Sequence, residues 1–494
     1  MSKKTALFML MILFTIGVQV SGGADFPKPI MSSSVIVDGT EMEPRRIQYD
    51  VFEDFLTEDV YSFGNEPNLW VHQLKNSDYV IYYRQEPNAP SRILTINLLS
   101  RGCNDLGRLW KHSYQKRSTD VNDDLKVTYS PTKARMVSDI GDGISYLEFG
   151  EWDRSLFIAR HGRFIKQPIS LLRRVDGSSP AHLVILPDRI SISIEFAQTD
   201  AEFEEGVIIF SDKRLIDIEN QRSNKALVVT DMNLVKMLRH DGWWYTTRVG
   251  DYKGSREDCY YFNPSFHPSK NLVSWYCQNS NRLFNDIVLT TLRAAVCEMP
   301  EEGFYRSEVV PLMFWRWYGM TNGYIDTRFA TDGARFLIRC ADELKSSKAR
   351  ELCTKLADAF LELPDEQKTS IGDGFLIHDY ITPEPLNVRM HTSLNHALCE
   401  VNYLLELTQL TGEDKYSELA DDILKAIDAT WQEWIRPNGD LWYAYFPESD
   451  TYGRDDYEEL TLMDLRETQA LHEEVFGYSR LSIQRLLESK EKYQ

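Results

Sequence analysis

The chain has 494 residues, enough for two large domains or three smaller ones of ~150 residues each. Its 43% hydrophobic and 26% charged content is that of a globular protein able to bury a core in each half. A net charge of −20, from 55 basic and 75 acidic residues, argues against nucleic acid or an anionic membrane as the main partner, because both require a positive face.

The first residues read as an export segment. Lys3 and Lys4 give a positive start, Ala6 to Val18 is an apolar run, and Gly22-Gly23-Ala24 supplies small residues for cleavage. The run is shorter than the ~20 residues of a spanning helix. A cleaved signal peptide over 1–24 is the first expectation, and an uncleaved anchor the second. Either one implies a secreted or cell-envelope protein. Residues 25–45 are weakly patterned and read as a linker or arm.

From 46 to 282 short apolar or alternating runs recur between turn residues, among them Tyr79–Tyr83, Ile93–Leu99, Ile190–Phe196 and Gly206–Phe210. Evenly spaced short strands predict a β-sandwich or barrel. A helical interruption is expected near Asn233–Arg239.

From 283 the period changes to that of a helix. Helices are expected over Leu283–Met299, Val309–Met320, Ile325–Leu344, Lys348–Leu363, Arg389–Leu410, Lys415–Ile435, Tyr457–Phe476 and Ser479–Glu491. They pair into four hairpins, with Gly412 and Gly477 as stops. Several are apolar around most of their circumference, which suits the inner helices of a ring. The fold class is therefore α+β in two domains: a β-rich N-terminal domain over 46–282, and an all-helical (α/α) toroid of about eight helices over 283–494.

The seven cysteines are widely spaced, with no CxxC pair and no zinc-type spacing. Cys259 and Cys277 flank an aromatic stretch and are the one candidate bridge. No P-loop, Rossmann glycine pattern, GxSxG or HExxH occurs. His391 and His396, five apart on an expected helix, point to different faces of it. No metal and no cofactor is expected.

Chemistry is densest between 374 and 411. A loop carrying Tyr380, Thr382, Pro383 and Pro385 leads into a long helix, on which His391, Asn395 and Asn402 form one polar stripe. Each residue of the stripe can equally serve helix-start chemistry. The run Gly439–Tyr445 contains Tyr443 and Tyr445. The run Arg454–Glu459 contains Tyr457 at the opening of another helix. Asp326 and Arg328 sit at a helix start, where a structural ion pair is the plain alternative. In an (α/α) toroid the loops at one end converge, which brings Tyr380, Tyr443, Tyr445 and Tyr457 toward one hollow.

Three segments are similar to the C-terminal domain of D-glucuronyl C5-epimerases. Tyr380-Ile381-Thr382-Pro383-Glu384-Pro385, followed by Leu394-Asn395, resembles that family's Tyr-x-Thr-Thr-Pro and Leu-Asn-Gly elements. The helix running on to Leu410–Tyr416 resembles the next. Asp456-Tyr457 with its helix to Phe476 resembles the last Asp-Tyr-His element. The likeness covers about 284–476 and has departures: Glu458 and Thr461 stand where the family has histidines, and His396 where it has glycine.

The resemblance implies a uronate C5-epimerase acting on a uronate-containing oligo- or polysaccharide, with a homodimer as one assembly open to it. Such a reaction abstracts the proton beside a carboxylate and returns it to the other face, so it needs a base, an acid and a cation. It points to Tyr380 and Tyr457 for proton transfer and to Tyr443 and Tyr445 against the sugar. Arg389 or Arg328 would meet the carboxylate, with His391, Asn395 and Asp326 beside the substrate. Two alternatives stand next to it: another glycan enzyme on the same scaffold, either a lyase or a hydrolase using two carboxylates from among Asp326, Asp373, Asp379, Glu384, Asp456 and Glu459, and a non-catalytic exported glycan-binding or envelope protein.

Overall fold

A computed structural model of the chain describes residues 281–493, apart from 308, 309 and 385, and in the N-terminal half mainly strands. The latter are 31–37, 40–42, 45–62, 67–85, 92–99, 108–112, 128–130, 136–138, 144–149, 154–158, 162–167, 171–175, 181–185, 189–196, 201–217, 220, 237–238, 244–246 and 259–262. The expected signal peptide and Cys277 lie outside the described residues. The chain divides into two compact units, 1–166 with 172–240, and 167–171 with 241–494.

The first unit is β-rich, as its alternating pattern predicts. One antiparallel sheet runs in the order Met136–Ser138, Ala181–Ile185, Arg189–Phe196, Arg92–Leu99, Met31–Val37, Thr40–Met42. Its alternate residues Leu94, Ile96 and Leu98, and Ile190, Ile192 and Ile194, point to one side. There they meet Leu147, Phe149, Leu156, Ile208 and Phe210 from a second sheet, built on Phe203–Ser211. The two sheets share one core, which is the sandwich arrangement.

Two expectations change here. Residues 31–37, read as an arm, form a strand on Arg92–Leu99; a Met-Ser-Ser-Ser-Val-Ile-Val segment has little periodicity of its own, and its pairing comes from the partner. Within the helical interruption expected near 233–239, Met237–Leu238 is strand and 233–236 lie outside the described residues.

The second unit is helical, with α1 Arg282–Cys297, α2 Leu312–Tyr318, α3 Thr327–Glu343, α4 Ser347–Leu352, α5 Lys355–Leu361, α6 Leu394–Thr411, α7 Asp414–Thr430, α8 Leu460–Phe476 and α9 Leu481–Tyr493. The helix expected over 348–363 is in two pieces, each only about two turns long. α3, α6 and α8 lie side by side as an inner row. α7 and α9 pack behind α6 and α8, and α4 and α5 behind α3. α6 is buried from Leu394 through Leu407, which is why its sequence is apolar nearly all round. Gly412, at φ +75°, gives the left-handed stop that turns α6 into α7. Among the described residues no helix is long and apolar enough to cross a membrane.

Each inner helix is entered from a short strand. Ile325–Asp326 pairs with Tyr380–Ile381 ahead of α3. Thr392–Ser393 pairs with Trp442–Phe446 ahead of α6. Trp442–Phe446 in turn pairs with Thr451–Asp455 before α8. These pairings gather three distant loops at the N-terminal ends of the inner helices.

Candidate functional site

The centre of this gathering is Asp379, fully buried at the N-terminus of α6. Its carboxylate accepts hydrogen bonds from the Ser393 backbone N–H at 2.6 Å and the Ser393 hydroxyl at 2.7 Å. His391 Nε2 lies 3.3 Å from Oδ2, and His396 Nδ1 lies 3.8 Å from Oδ1. Burial pushes the Asp379 carboxyl up. The neighbouring imidazoles and the Ser393 bonds outweigh burial and hold it below the usual range. The positive end of the α6 dipole acts in the same direction. Burial drives His396 down to about 4, and its Nδ1 pairs with the Thr327 hydroxyl at 2.9 Å.

Here the structure corrects the register read from sequence. α6 begins at Leu394, so His391 is not on the helix but in the extended segment before it. It therefore leaves the polar stripe with Asn395 and Asn402. His391 and His396, read as pointing apart, both approach Asp379. Among the described residues no group of three or more His, Cys, Asp or Glu side chains is arranged to hold a metal ion.

On its other edge His391 Nδ1 meets the Tyr318 hydroxyl at 2.8 Å, and the two rings are stacked 5.7 Å apart. Tyr318, His391 and Asp379 thus form one line: a phenol, an imidazole, a carboxylate. The Nε2 contact with Asp379 is close but poorly aimed, and Nε2 has no well-directed hydrogen-bond partner, a slackness common in ligand-free sites. Burial raises the Tyr318 phenol to about 12, against the opposing pull of Arg454.

The expected site residues take the following places. Tyr380 is 8% exposed and packed among Phe314 (4.5 Å between ring centroids), Tyr324, His391 and His396. Burial holds its phenol well above the usual value, so it keeps its proton and is poorly suited to act as a base. Tyr443 lies 6.0 Å from the His391 ring and 5.7 Å from Tyr457. Tyr457 is half-exposed. Tyr380, His391, Tyr443 and Tyr457 are therefore linked ring to ring along one end of the helical unit.

Tyr445 turns elsewhere, giving its hydroxyl proton to Asp450 at 2.9 Å and packing on Tyr452. Asp326 caps α3, accepting from the Phe329 N–H at 3.0 Å, and burial raises its carboxyl to about 7. Arg328 is committed to the Asp464 carboxylate and to the Asn395 carbonyl at 2.8 Å. Arg389 is exposed and lines an open pocket of about 400 Å³ together with Gln367, His378, Tyr380, Thr382 and Glu448.

Sequence reasoning did not single out Tyr318 or Trp317, and Asp379 entered only as one spare carboxylate among several. The aromatic run Leu312–Tyr318 and the His378-Asp379-Tyr380 cluster were the available signals. A helix of seven residues, four of them aromatic, is easily read as core.

No protein family and no curated protein matches the chain. Among solved structures it is similar to an unsaturated glucuronyl hydrolase from Streptococcus agalactiae, at 13% identity over 51% of this chain and 58% of that one, with a TM-score of 0.34. It is also similar to a family 76 glycoside hydrolase from a bovine Bacteroides thetaiotaomicron strain (8% identity, 83% and 75% covered, TM-score 0.39). A cellobiose 2-epimerase from Bacillus thermoamylovorans gives 12% identity, 46% and 58% covered, and a TM-score of 0.32. The chain spans 58% of the length of the glucuronyl hydrolase. All three are carbohydrate-active enzymes, two hydrolases and an epimerase. The likenesses are too faint to carry a reaction to this chain.

Proposed function

We propose that the chain is an exported, carbohydrate-active enzyme that moves a proton at C5 of a uronate sugar, epimerising it. The observation that carries this reading is the line from the Tyr318 hydroxyl through His391 to Asp379. A phenol is a poor base unless its own proton has somewhere to go. Here His391 Nδ1 is placed to take it, while Asp379 steadies the imidazole that becomes charged.

Tyr318 oxygen takes the C5 proton as its own proton passes to His391 Nδ1. The C–H electron pair moves into the C5–C6 bond and onto the sugar carboxylate, giving an enediolate. Tyr457, on the exposed edge of the ring chain, returns a proton to C5 from the other face. Solvent then carries the surplus proton from His391 back to the Tyr457 oxygen. Tyr380, held neutral, walls the site with Tyr443. Arg389 and the 400 Å³ pocket beside Tyr380 take a neighbouring sugar unit.

The test is NMR in deuterated water with uronate oligosaccharides, where deuterium should enter at C5. Absence of exchange across uronate substrates removes the reading. A second reading, glycan hydrolysis, is favoured by one observation: Asp326 pairs with Tyr380, whose preceding residue is Asp379, and the two carboxyls have proton affinities pushed in opposite directions. Hydrolysis would yield new reducing ends without C5 exchange. A lyase would yield products absorbing in the ultraviolet.

A further inference from the structure

Among the described residues at this end of the helical unit, Arg454 and the pocket-lining Arg389 are cations without an ion pair, and Arg454 is the one beside Tyr318. Arg454 is exposed, and among the described residues no carboxylate pairs with it. Its guanidinium carbon lies 3.9 Å over the Trp317 ring and 5.1 Å from that of Phe446. Both distances are within cation–π range. The backbone at Arg454 has φ +68°, in the left-handed region that a non-glycine residue adopts only where its surroundings impose it. The Thr451–Asp455 strand thus spends conformational energy to hold this side chain over an aromatic face.

The neighbours of Arg454 bear directly on the chemistry. Trp317 is 44% exposed, so its ring is available to a ligand. Trp317 is followed directly by Tyr318, whose hydroxyl meets His391. Phe446 stacks on the His391 ring at 5.5 Å. Arg454 is close enough to Tyr318 to draw its phenol downward. An uncompensated guanidinium, an exposed indole and a phenol with a proton acceptor behind it therefore share one patch.

We infer that Arg454 and Trp317 form a subsite for a carboxylate-bearing pyranose. The guanidinium pairs with the sugar carboxylate, and the indole takes the C–H face of the ring. This deepens the function proposed above and rests on it for the identity of the ligand. Within that function it supplies the missing cation, since Arg328 is already committed to Asp464. A carboxylate held at Arg454 puts the adjoining C5 within reach of the Tyr318 oxygen, and the charge that develops on the carboxylate grows against the guanidinium.

The experiment compares two probes on the full chain by calorimetry or ligand-observed NMR: an oligosaccharide carrying glucuronate, and the same oligosaccharide with its carboxyl reduced to an alcohol. The acid should bind at least about tenfold more tightly than the alcohol. Arg454→Gln should abolish that preference, while Trp317→Ala should weaken both probes. Circular dichroism and thermal unfolding establish that each variant is folded. Equal binding of the two probes, no binding of the acid, or an acid preference unchanged in Arg454→Gln overturns the subsite. Acid-selective binding without any C5 exchange leaves the subsite standing and removes the epimerase reading. C5 exchange that survives Arg454→Gln unaltered does the reverse.

Discussion

Two buried polar clusters lie between the same inner helices, and they are built on opposite principles. Midway along the row, Arg335 on α3 is fully buried and gives two hydrogen bonds to Glu406 on α6, both at 2.8 Å, and two to Glu467 on α8, at 3.2 and 2.7 Å. Arg339 adds a third donor to Glu406 at 2.7 Å. At the N-terminal end of the row, His391 Nε2 and Asn395 Oδ1 are buried without a well-directed protein partner. The first cluster ties the three helices together. The second leaves polar capacity unspent, and unpaired buried polar groups cost stability. Charge paired across three helices makes a structural joint, and unspent polar capacity beside a pocket is what a ligand site requires.

This contrast predicts that substitutions at the two ends separate activity from stability. The largest effect is expected for Tyr318→Phe, which removes one hydroxyl. Deuterium incorporation at C5 should fall by roughly 10²–10⁴-fold, while the unfolding free energy in urea changes by only about 1 kcal/mol. Equal losses of both would make Tyr318 a structural residue. Next comes Arg335→Met, which strands Glu406 and Glu467. It should cost about 3–5 kcal/mol in urea unfolding and leave the acid preference of the folded fraction untouched.

Ser393→Ala should be milder, at about 1–3 kcal/mol near neutral pH, because a buried carboxylate loses one of its two short donors. Asp379 is held below its ordinary 3.8, so the stability it contributes is present above that value and is lost as pH falls through the folded pKa. The gap between Ser393→Ala and wild type should therefore be full at pH 7 and shrink as pH drops below 4. A constant gap would mean that Ser393 acts through packing rather than through the carboxylate charge.

The smallest effect is reserved for Asp326→Asn, since asparagine also caps helices well. The wild-type carboxyl is raised from 3.8 to about 7, so its folded form holds a proton that the unfolded chain releases, and stability falls as pH rises across that interval. The variant lacks this decline. Its melting temperature should exceed wild type by a few degrees at pH 8 and match it at pH 4.

The two units also differ in how much of them could be read beforehand. In the first, Leu94, Ile96 and Leu98 and the run Ile190–Ile194 announce strands by alternation. Which strands become neighbours is not local information, so the partner of 31–37 was invisible. In the second, the 3.6 period located α1, α3 and α6 through α9 well, with ends shifted by a few residues. One of those shifts mattered. Starting α6 at Arg389 put His391 on a helical face and away from His396. Starting it at Leu394 puts His391 in an extended segment, where the Thr392–Ser393 pairing with Trp442–Phe446 turns it toward Asp379. The aromatic candidates Tyr380, Tyr443 and Tyr457 were legible as a group, because aromatic density in helix-entry loops survives errors of register. Tyr318 and Arg454 were not, since neither stands out until the fold sets it beside His391 or Trp317.

By itself the sequence determined periodicity, and with it the division into a β-rich region and a helical region, the helical stops at Gly412 and Gly477, and the residue types available at each helix entrance. These follow from backbone geometry and local propensity, which act over a few residues. The tertiary structure alone decided which polar groups are paired and which are left open. Buried polar groups make a strut at Arg335–Glu406 and a line of phenol, imidazole and carboxylate at Tyr318–His391–Asp379. The difference lies in contacts between residues from 12 to 132 positions apart, fixed by strand pairing and helix packing rather than by anything the neighbouring residues specify.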